Sequence, residues 1–387
     1  MSRPLRLLIV SGSRADFGLW LPVLRESEAR PGVEAAVVVT GMHLDSRFGM
    51  TVGDVRRSGY RVAAEVPFTA DADTRAEMAA SLGRALEALA PVVARESPDW
   101  LLLLGDRGEQ LAGALAALHL GTAVAHLHGG ETTRGAVDDT LRDLISRIAH
   151  LHLVANRAAA ERLTRLGEEA WRIHEVGGPG LDQLLAESGG DLAAIRERHG
   201  LGTDGPYLLI VHHPQTVGEE RGVADLDAII TAVDAVGLPA LALYPNADAG
   251  GRAMIERLQR SDGRLRSVPS LPREDFATLL AGCAALVGNS SSGIIEAPLL
   301  GVPAVNVGDR QAGRTRGDNV LDVPADAAAI AAAIRRALDP SFRQGLSGRS
   351  PYGDGRAAPR ILDLLASTAI DRRLLTKRVA DATGGDR

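Results

Sequence analysis

Short runs of aliphatic residues recur along this chain, and most are followed by an amphipathic or alanine-rich helical pattern. The first half offers "LRLLIV", "EAAVVVT", "RVAAEV", "DWLLLLG", "TAVAHLH" and "HLHLVAN" as strands. The second half repeats the plan with "PYLLIVHH", "PALALYPN", "LRSVPS", "AALVGNS" and "PAVNVGD". Unbroken runs such as Leu101–Leu104 suit strands buried on both faces of a parallel sheet. Strand–helix alternation of this kind predicts an α/β chain with doubly wound, Rossmann-like domains. The glycine-rich stretch "VGGPGLDQLLAESGGD" separates the two series. It places one domain at 1–180 and a second at 181–360, followed by a C-terminal helix over 361–377 and a disordered tail at 378–387.

Composition removes several classes of function. With 387 residues, of which 45% are hydrophobic, the chain can fill two cores, and with 3% aromatics these must be aliphatic. The net charge of −6, with acids and bases interleaved, argues against nucleic acid or an anionic membrane as partner. One cysteine, Cys283, permits no internal disulfide and fits a reducing cytoplasm. No apolar run approaches the roughly 18 residues of a membrane span. Lys377 is the sole lysine, which disfavours Schiff-base chemistry because arginine cannot supply a free amine. No Gly-Lys-Ser/Thr occurs, so the P-loop is absent. "GLGTDG" matches a dinucleotide fingerprint but precedes a strand where the mechanism needs it to follow one.

Polar residues gather at the carboxyl ends of the strands. In "ALVGNSSSGIIEAP" a strand runs into Ser290, Ser291, Ser292 and Gly293, whose backbone N–H groups would be free at a helix start to meet a phosphate. Glu296, one turn along, could accept from ribose hydroxyls. Ordinary serine capping explains one serine; three between glycines put capping and phosphate binding level. "LLLLGDRGEQ" places Asp106, Arg107 and Glu109 at another strand end, where a capped acidic first turn is the alternative. "HLHGGETTRGAVDDTLR" brings His126 and His128, two apart on one strand face, before Glu131, Asp138, Asp139 and Arg142. Several carboxylates beside arginine or histidine can separate their pKa values and supply both an acid and a base. A zinc site from the two histidines and Glu131 ranks below that, because no further ligand has metal-like spacing. His150 and His152 read as structural. Arg14, His212 with His213, and Asn246 end further strands, and such clustering in two domains predicts one cleft with a ligand.

In order along the chain, "SGSRADFG", "TGMHLDSRFG", "LGDRGE", "HLHGGETTRGAVDDTLR", "HHPQT", "YPNADAG", "GNSSSGIIEAP" and "NVGDRQAGR" resemble the hydrolysing UDP-N-acetylglucosamine 2-epimerases of sialic-acid-type sugar synthesis. The resemblance implies a glycosyltransferase-B fold, two Rossmann-like domains facing a cleft. It implies conversion of UDP-N-acetylglucosamine to N-acetylmannosamine and UDP through 2-acetamidoglucal, in the cytoplasm, by a homodimer or homotetramer, with no cofactor and no metal. By match to the motifs, Ser290 and Ser291 would take the diphosphate, Glu296 the ribose and Arg310 the nucleotide, with Arg14 and Arg107 reaching it from the first domain. Asn246 would join the UDP-sugar contacts, and Asp106, Glu131, Asp138 and His213 would line the sugar pocket as catalytic residues. The chain departs from the pattern at Gly108, where relatives usually carry an aromatic residue, and at Arg252. That leaves UDP-N,N′-diacetylbacillosamine as an alternative substrate. A non-hydrolysing epimerase, a glycosyltransferase and a non-catalytic nucleotide-sugar sensor are the rival functions. The acid-rich "HGGE…DD" set argues against the transferase.

Overall fold

The computed structural model describes residues 3–68, 74–132, 137–214, 222–245, 250–261 and 264–380. The chain forms two compact units, 1–183 with 355–387, and 184–354. The first contains a seven-stranded parallel sheet: β1 (Leu5–Ser11), β2 (Val33–Thr40), β3 (Val62–Val66), β4 (Trp100–Leu104), β5 (Ala123–Leu127), β6 (Leu151–Val154) and β7 (Ile173–Glu175), in the order β3-β2-β1-β4-β5-β6-β7. The second contains six: β8 (Leu208–Val211), β9 (Ala240–Leu243), β10 (Leu265–Val268), β11 (Ala285–Gly288), β12 (Ala304–Val307) and β13 (Val320–Val323), ordered β10-β9-β8-β11-β12-β13. Every ladder between these strands is parallel.

The continuous apolar runs have the physical reason expected of them. Side chains alternate across a strand, so an unbroken run feeds both faces of its sheet. Leu7, Ile9, Trp100, Leu102 and Leu104 enter one cluster, while Leu8, Val10, Leu101 and Leu103 enter another on the opposite face. Full burial of each such side chain contributes about 1.5–3 kcal/mol. Sheet order reverses direction between β1 and β4 in the first unit and between β8 and β11 in the second. Loops at the carboxyl ends of strands beside such a reversal are where open α/β sheets bind ligands.

Three details differ from the sequence expectation. Strands β7 and β13 were not expected from "RIHEV" and "NVLDV", because both are short edge strands with polar residues and incomplete burial. The division between units falls within the helix Pro179–Glu187, three residues past the expected boundary, since Leu181 and Gln183 are buried where glycines alone suggested a loop. The C-terminal stretch is not one helix over 361–377 but two, Ala357–Ser367 and Arg372–Leu375, and it folds with the first unit. Asp182 caps the first of these through the N–H groups of Ala357 (2.9 Å) and Ala358 (2.8 Å), and Ile361, Leu362 and Leu365 fill the core beside Trp100. Residues 378–380, expected to be disordered, are tied to the first unit instead, for Ala380 N donates to Gly167 O at 2.9 Å; the rest of the expected tail lies outside the described residues.

Gly288 ends β11 with φ of 133°, and a Cβ there would overlap the backbone carbonyl of Val211 at the end of β8. Only glycine allows the two strands this close. Gly288→Ala is therefore expected to destabilise the second unit by about 3 kcal/mol. Thermal unfolding checks this, as a transition shifted down by several degrees.

Candidate active site

In the first unit the loops after β1, β4 and β5 meet at the sheet reversal. Gln110, fully buried, knits two of these strand ends: its Oε1 accepts from Leu104 N (3.2 Å) and its Nε2 donates to Val10 O (3.3 Å). Asp106 lies in the turn after β4, and Arg107 is the N-cap of the helix Gly108–Leu120. Arg142, on the helix Val137–Ile148, is buried and gathers the site. Its Nη2 donates to Asp106 Oδ2, and its Nη1 donates to Asp139 Oδ1 (2.9 Å) and to the Glu131 backbone carbonyl (2.7 Å). A buried guanidinium forking between two carboxylates fixes their spacing.

The histidines of "HLHGGE" divide their work differently from the expectation. β5 ends at Leu127, and His128 turns into the left-handed region with φ of 60°, so the two do not share a strand face. His126 is buried, with Nε2 2.7 Å from Gly105 O and Nδ1 3.0 Å from Ser146 Oγ. Burial pushes it down to about 3, so it is neutral at physiological pH. His128 Nδ1 instead meets Glu131 Oε1 at 2.6 Å. Such left-handed strain at a non-glycine residue costs about 1–3 kcal/mol and is a feature of functional sites. Among the described residues no group of three or more His, Cys, Asp or Glu is arranged to hold a metal.

A second buried group lies beside these, one to which the sequence assigned no role. Glu109 is 5% exposed, and its carboxyl packs so closely on Gly12 that a Cβ there would collide with it. Asp16, also buried, accepts from Gly12 N at 3.2 Å. Burial raises both acids, Glu109 to about 7, against the opposing pull of Arg107. The signal available in the sequence was the pair "SG" and "GDRGE" at adjacent strand ends; that the glutamate turns inward depends on tertiary packing.

Of the other expected residues in this unit, Arg14 opens the helix Arg14–Glu28 and is exposed, with Nε 3.6 Å from Asp54 Oδ2. Asp138 is exposed in the first turn of its helix, whereas its neighbour Asp139 is the one joined to Arg142. His150 and His152 are both buried, and His152 Nε2 bonds Glu168 Oε2 at 3.0 Å.

In the second unit Asn289, fully buried after β11, exchanges two 2.8 Å bonds with the backbone of His213 after β8. Its carbonyl accepts from Arg310 Nη1 (3.1 Å) and Gln311 Nε2 (2.8 Å). Ser290, His213 and Arg310 are thus brought together at the second sheet reversal. His212 is buried, and burial, with the charges of His213 and Arg310, lowers it to about 4. The helix expected after the serines is a single turn, Ser292–Ile295, with Ser291 as N-cap. Two of the N–H groups expected to be free are already donated locally, Ser292 N to Ser290 Oγ (3.3 Å) and Gly293 N to Ser290 O (3.2 Å), because the serines close tight turns on themselves. Pro298 and a run of turns then stop the helix, so little helix dipole accumulates. Glu296 follows that turn, 3.5 Å from Arg273 Nη2. Asn246 lies outside the described residues.

Two doubly wound parallel units with polar loops at both reversals define a glycosyltransferase-B-like scaffold. The profile of the UDP-N-acetylglucosamine 2-epimerases matches residues 25–366, and the chain belongs to that family. A hydrolysing UDP-N,N′-diacetylbacillosamine 2-epimerase of Legionella pneumophila is 36% identical over 374 residues, 96% of this chain and 98% of the relative. A UDP-N-acetylglucosamine 2-epimerase of Neisseria meningitidis serogroup B is 34% identical over 333 residues, 86% of this chain and 87% of the relative. A crystal structure of UDP-GlcNAc 2-epimerase from Neisseria meningitidis bound to UDP-GlcNAc shares the fold with a TM-score of 0.78 at 17% identity, covering 94% of this chain and all of that one. No helix among the described residues is long and apolar enough to cross a membrane.

Glu109 has a thermodynamic consequence. Unfolded, it ionises near its ordinary 4.5; folded, near 7. Between those values the unfolded chain releases the proton and the folded chain keeps it, so stability is lost as pH rises from about 4.5 to about 7. Glu109→Gln removes that loss. Its melting temperature is expected to exceed that of the parent by several degrees at pH 8, with the gap shrinking toward pH 4.5, as followed by calorimetry.

Proposed function

We propose that this chain is a hydrolysing 2-epimerase of a UDP-2-acetamido sugar. The observation that carries this is the gathering of Asp106, Asp139 and the Glu131 loop on one buried guanidinium at the ligand-binding edge of the first sheet. The C1–O bond to UDP breaks, with its electron pair leaving on the diphosphate oxygen. Positive charge developing at C1 makes the C2 hydrogen removable. A carboxylate takes that proton, and the C2–H electrons form the C1=C2 bond of the 2-acetamidoglycal. Water then adds its oxygen to C1 and gives up a proton, while C2 is protonated from the opposite face. Asp106, Glu131 and Asp138 supply these proton transfers, worth about 10²–10⁴-fold in rate. His213 serves the sugar pocket from the second unit, where Ser290, Ser291 and Arg310 hold the diphosphate and nucleotide and Glu296 the ribose. Arg14 and Arg107 add positive charge for the leaving group, and Asn246 contributes a further UDP-sugar contact. Each charge-assisted bond of this kind is worth about 1.5–3 kcal/mol.

The favoured sugar is N,N′-diacetylbacillosamine. Among the described residues only Leu82 Cδ1, at 3.9 Å, lies within 4 Å of where a Cβ on Gly108 would stand. Space of that kind beside Asp106 suits a bulky 4-acetamido group, because a ligand too small for its cavity forfeits contacts. The Legionella relative bears the name of that activity. UDP-N-acetylglucosamine is the second reading, supported by the Neisseria relative.

NMR of the products from each sugar nucleotide tests the proposal. Free 2-acetamido sugar of manno configuration and UDP are expected, with kcat/KM higher for the diacetylbacillosamine nucleotide. Accumulation of an epimerised UDP-sugar instead would establish a non-hydrolysing enzyme. Gly108→Phe should move the preference toward UDP-N-acetylglucosamine; an unmoved preference removes Gly108 from sugar selection.

Site variants separate binding from chemistry. Asp106→Asn and Glu131→Gln should lower kcat by about 10²-fold or more while UDP affinity stays within a few-fold. Ser290→Ala and Arg310→Ala should weaken UDP by about tenfold or more in calorimetric titration. Unchanged UDP affinity in the latter pair contradicts the phosphate assignment.

A further inference from the structure

The chain's sole lysine packs, partly buried, against the end of the helix that carries Arg142. Lys377 Nζ donates to the carbonyls of Ser146 (2.6 Å) and Arg147 (3.0 Å) and lies 2.6 Å from Glu168 Oε2. All three ammonium donors therefore have an acceptor. A compact ammonium can fill such a tetrahedral nest, whereas a planar guanidinium cannot. The other basic residues of the chain are all arginine. The two carbonyls belong to the last turn of the helix Val137–Ile148, where backbone acceptors lack intrahelical partners and a cation is favoured.

The segment around Lys377 is tied down at several points. Arg172, fully buried, donates to the carbonyls of Leu374 (2.8 Å), Arg373 (3.1 Å) and Thr376 (3.3 Å), and to His150 O (3.1 Å). The guanidinium groups of Arg172 and Arg373 both pack over the Trp171 ring, at 4.1 and 4.6 Å from its centre. Leu374 enters the hydrophobic core. Glu168 is held from three sides, by Lys377, His152 and Arg147 Nη1 (3.1 Å).

From this anchor two paths reach the catalytic edge. Arg142 stands one helical turn before Ser146 and holds Asp106 and Asp139. Ser146 Oγ also bonds His126, whose other nitrogen meets the carbonyl of Gly105, the residue before Asp106. We infer that Lys377 is a positioning residue for the Asp106–Arg142–Asp139 cluster, and that the strap 372–380 is a working part of the catalytic edge. By pinning the helix end and the Ser146–His126–Gly105 line, the strap sets where the Asp106 carboxylate stands. The kinetic half of this inference rests on the proposed function; the structural half does not.

Lys377→Met and, as a milder change, Ser146→Ala test it in the full chain. Small misplacements of a catalytic group cost up to about 10²-fold in rate. Lys377→Met should lower kcat by about tenfold to hundredfold, with KM and UDP affinity within twofold, because Ser290, Ser291, Glu296 and Arg310, which make most of the proposed UDP contacts, are in the second unit. Ser146→Ala should lower kcat in the same sense by a smaller factor. Amide hydrogen exchange is read in parallel. Exchange should accelerate at 137–148 and 104–107 in Lys377→Met while the second unit is unchanged. Wild-type kcat together with unchanged exchange at those segments overturns the inference. If Lys377→Met does not fold, an unaltered kcat in Ser146→Ala overturns it. If the parent turns over neither UDP-sugar, the proposed function fails, and exchange alone decides whether the strap positions the cluster.

Discussion

The guanidinium of Arg142 is the contact on which the first unit's site depends. It joins the turn after β4, 36 residues away, to the loop after β5 and to its own helix. Burying the charge is affordable because two carboxylates and a carbonyl surround it. Removing one partner from such a buried arrangement typically costs about 3–5 kcal/mol. The cluster therefore holds the Asp106 carboxylate in one place, which suits a group that must transfer a proton at a single atom. Glu109 and Asp16, facing Gly12 on the neighbouring loop, add two more acids whose burial favours the neutral form. One strand edge thus holds carboxyl groups in contrasting environments, an arrangement that separates acids from bases.

Both units solve the same local problem with one buried amide. Gln110 spans the ends of β1 and β4, and Asn289 spans the ends of β8 and β11. In each case the amide satisfies backbone groups that the sheet leaves unpaired where strand order reverses. The loops beside it are then held open for a ligand at little cost in unsatisfied polar groups.

Much of this was legible in the sequence, for a physical reason. Aliphatic runs that feed both sheet faces can belong only to covered parallel strands, so the fold class followed from "DWLLLLG" and its counterparts. Polar residues right after such runs must lie at the carboxyl edge, which located Asp106, Glu131, His213 and Ser290. Less visible were features set by long-range packing. Nothing local distinguishes Asp139, joined to Arg142, from the exposed Asp138 beside it. The inward turn of Glu109, the left-handed backbone of His128 and the docking of Lys377 against the end of a distant helix likewise arise only once the sheet is assembled. The short strands β7 and β13 escaped because edge strands need not be apolar.

Isotope labelling tests the central claim most directly, that the leaving group departs by C1–O cleavage and C2 is reprotonated from solvent. The reaction is run to partial conversion in D₂O, and separately in water enriched in oxygen-18, with the UDP-sugar that is turned over. The account predicts one deuteron at C2 of the released sugar and no oxygen-18 in the UDP. Retained protium at C2, or oxygen-18 in the β-phosphate, would contradict it.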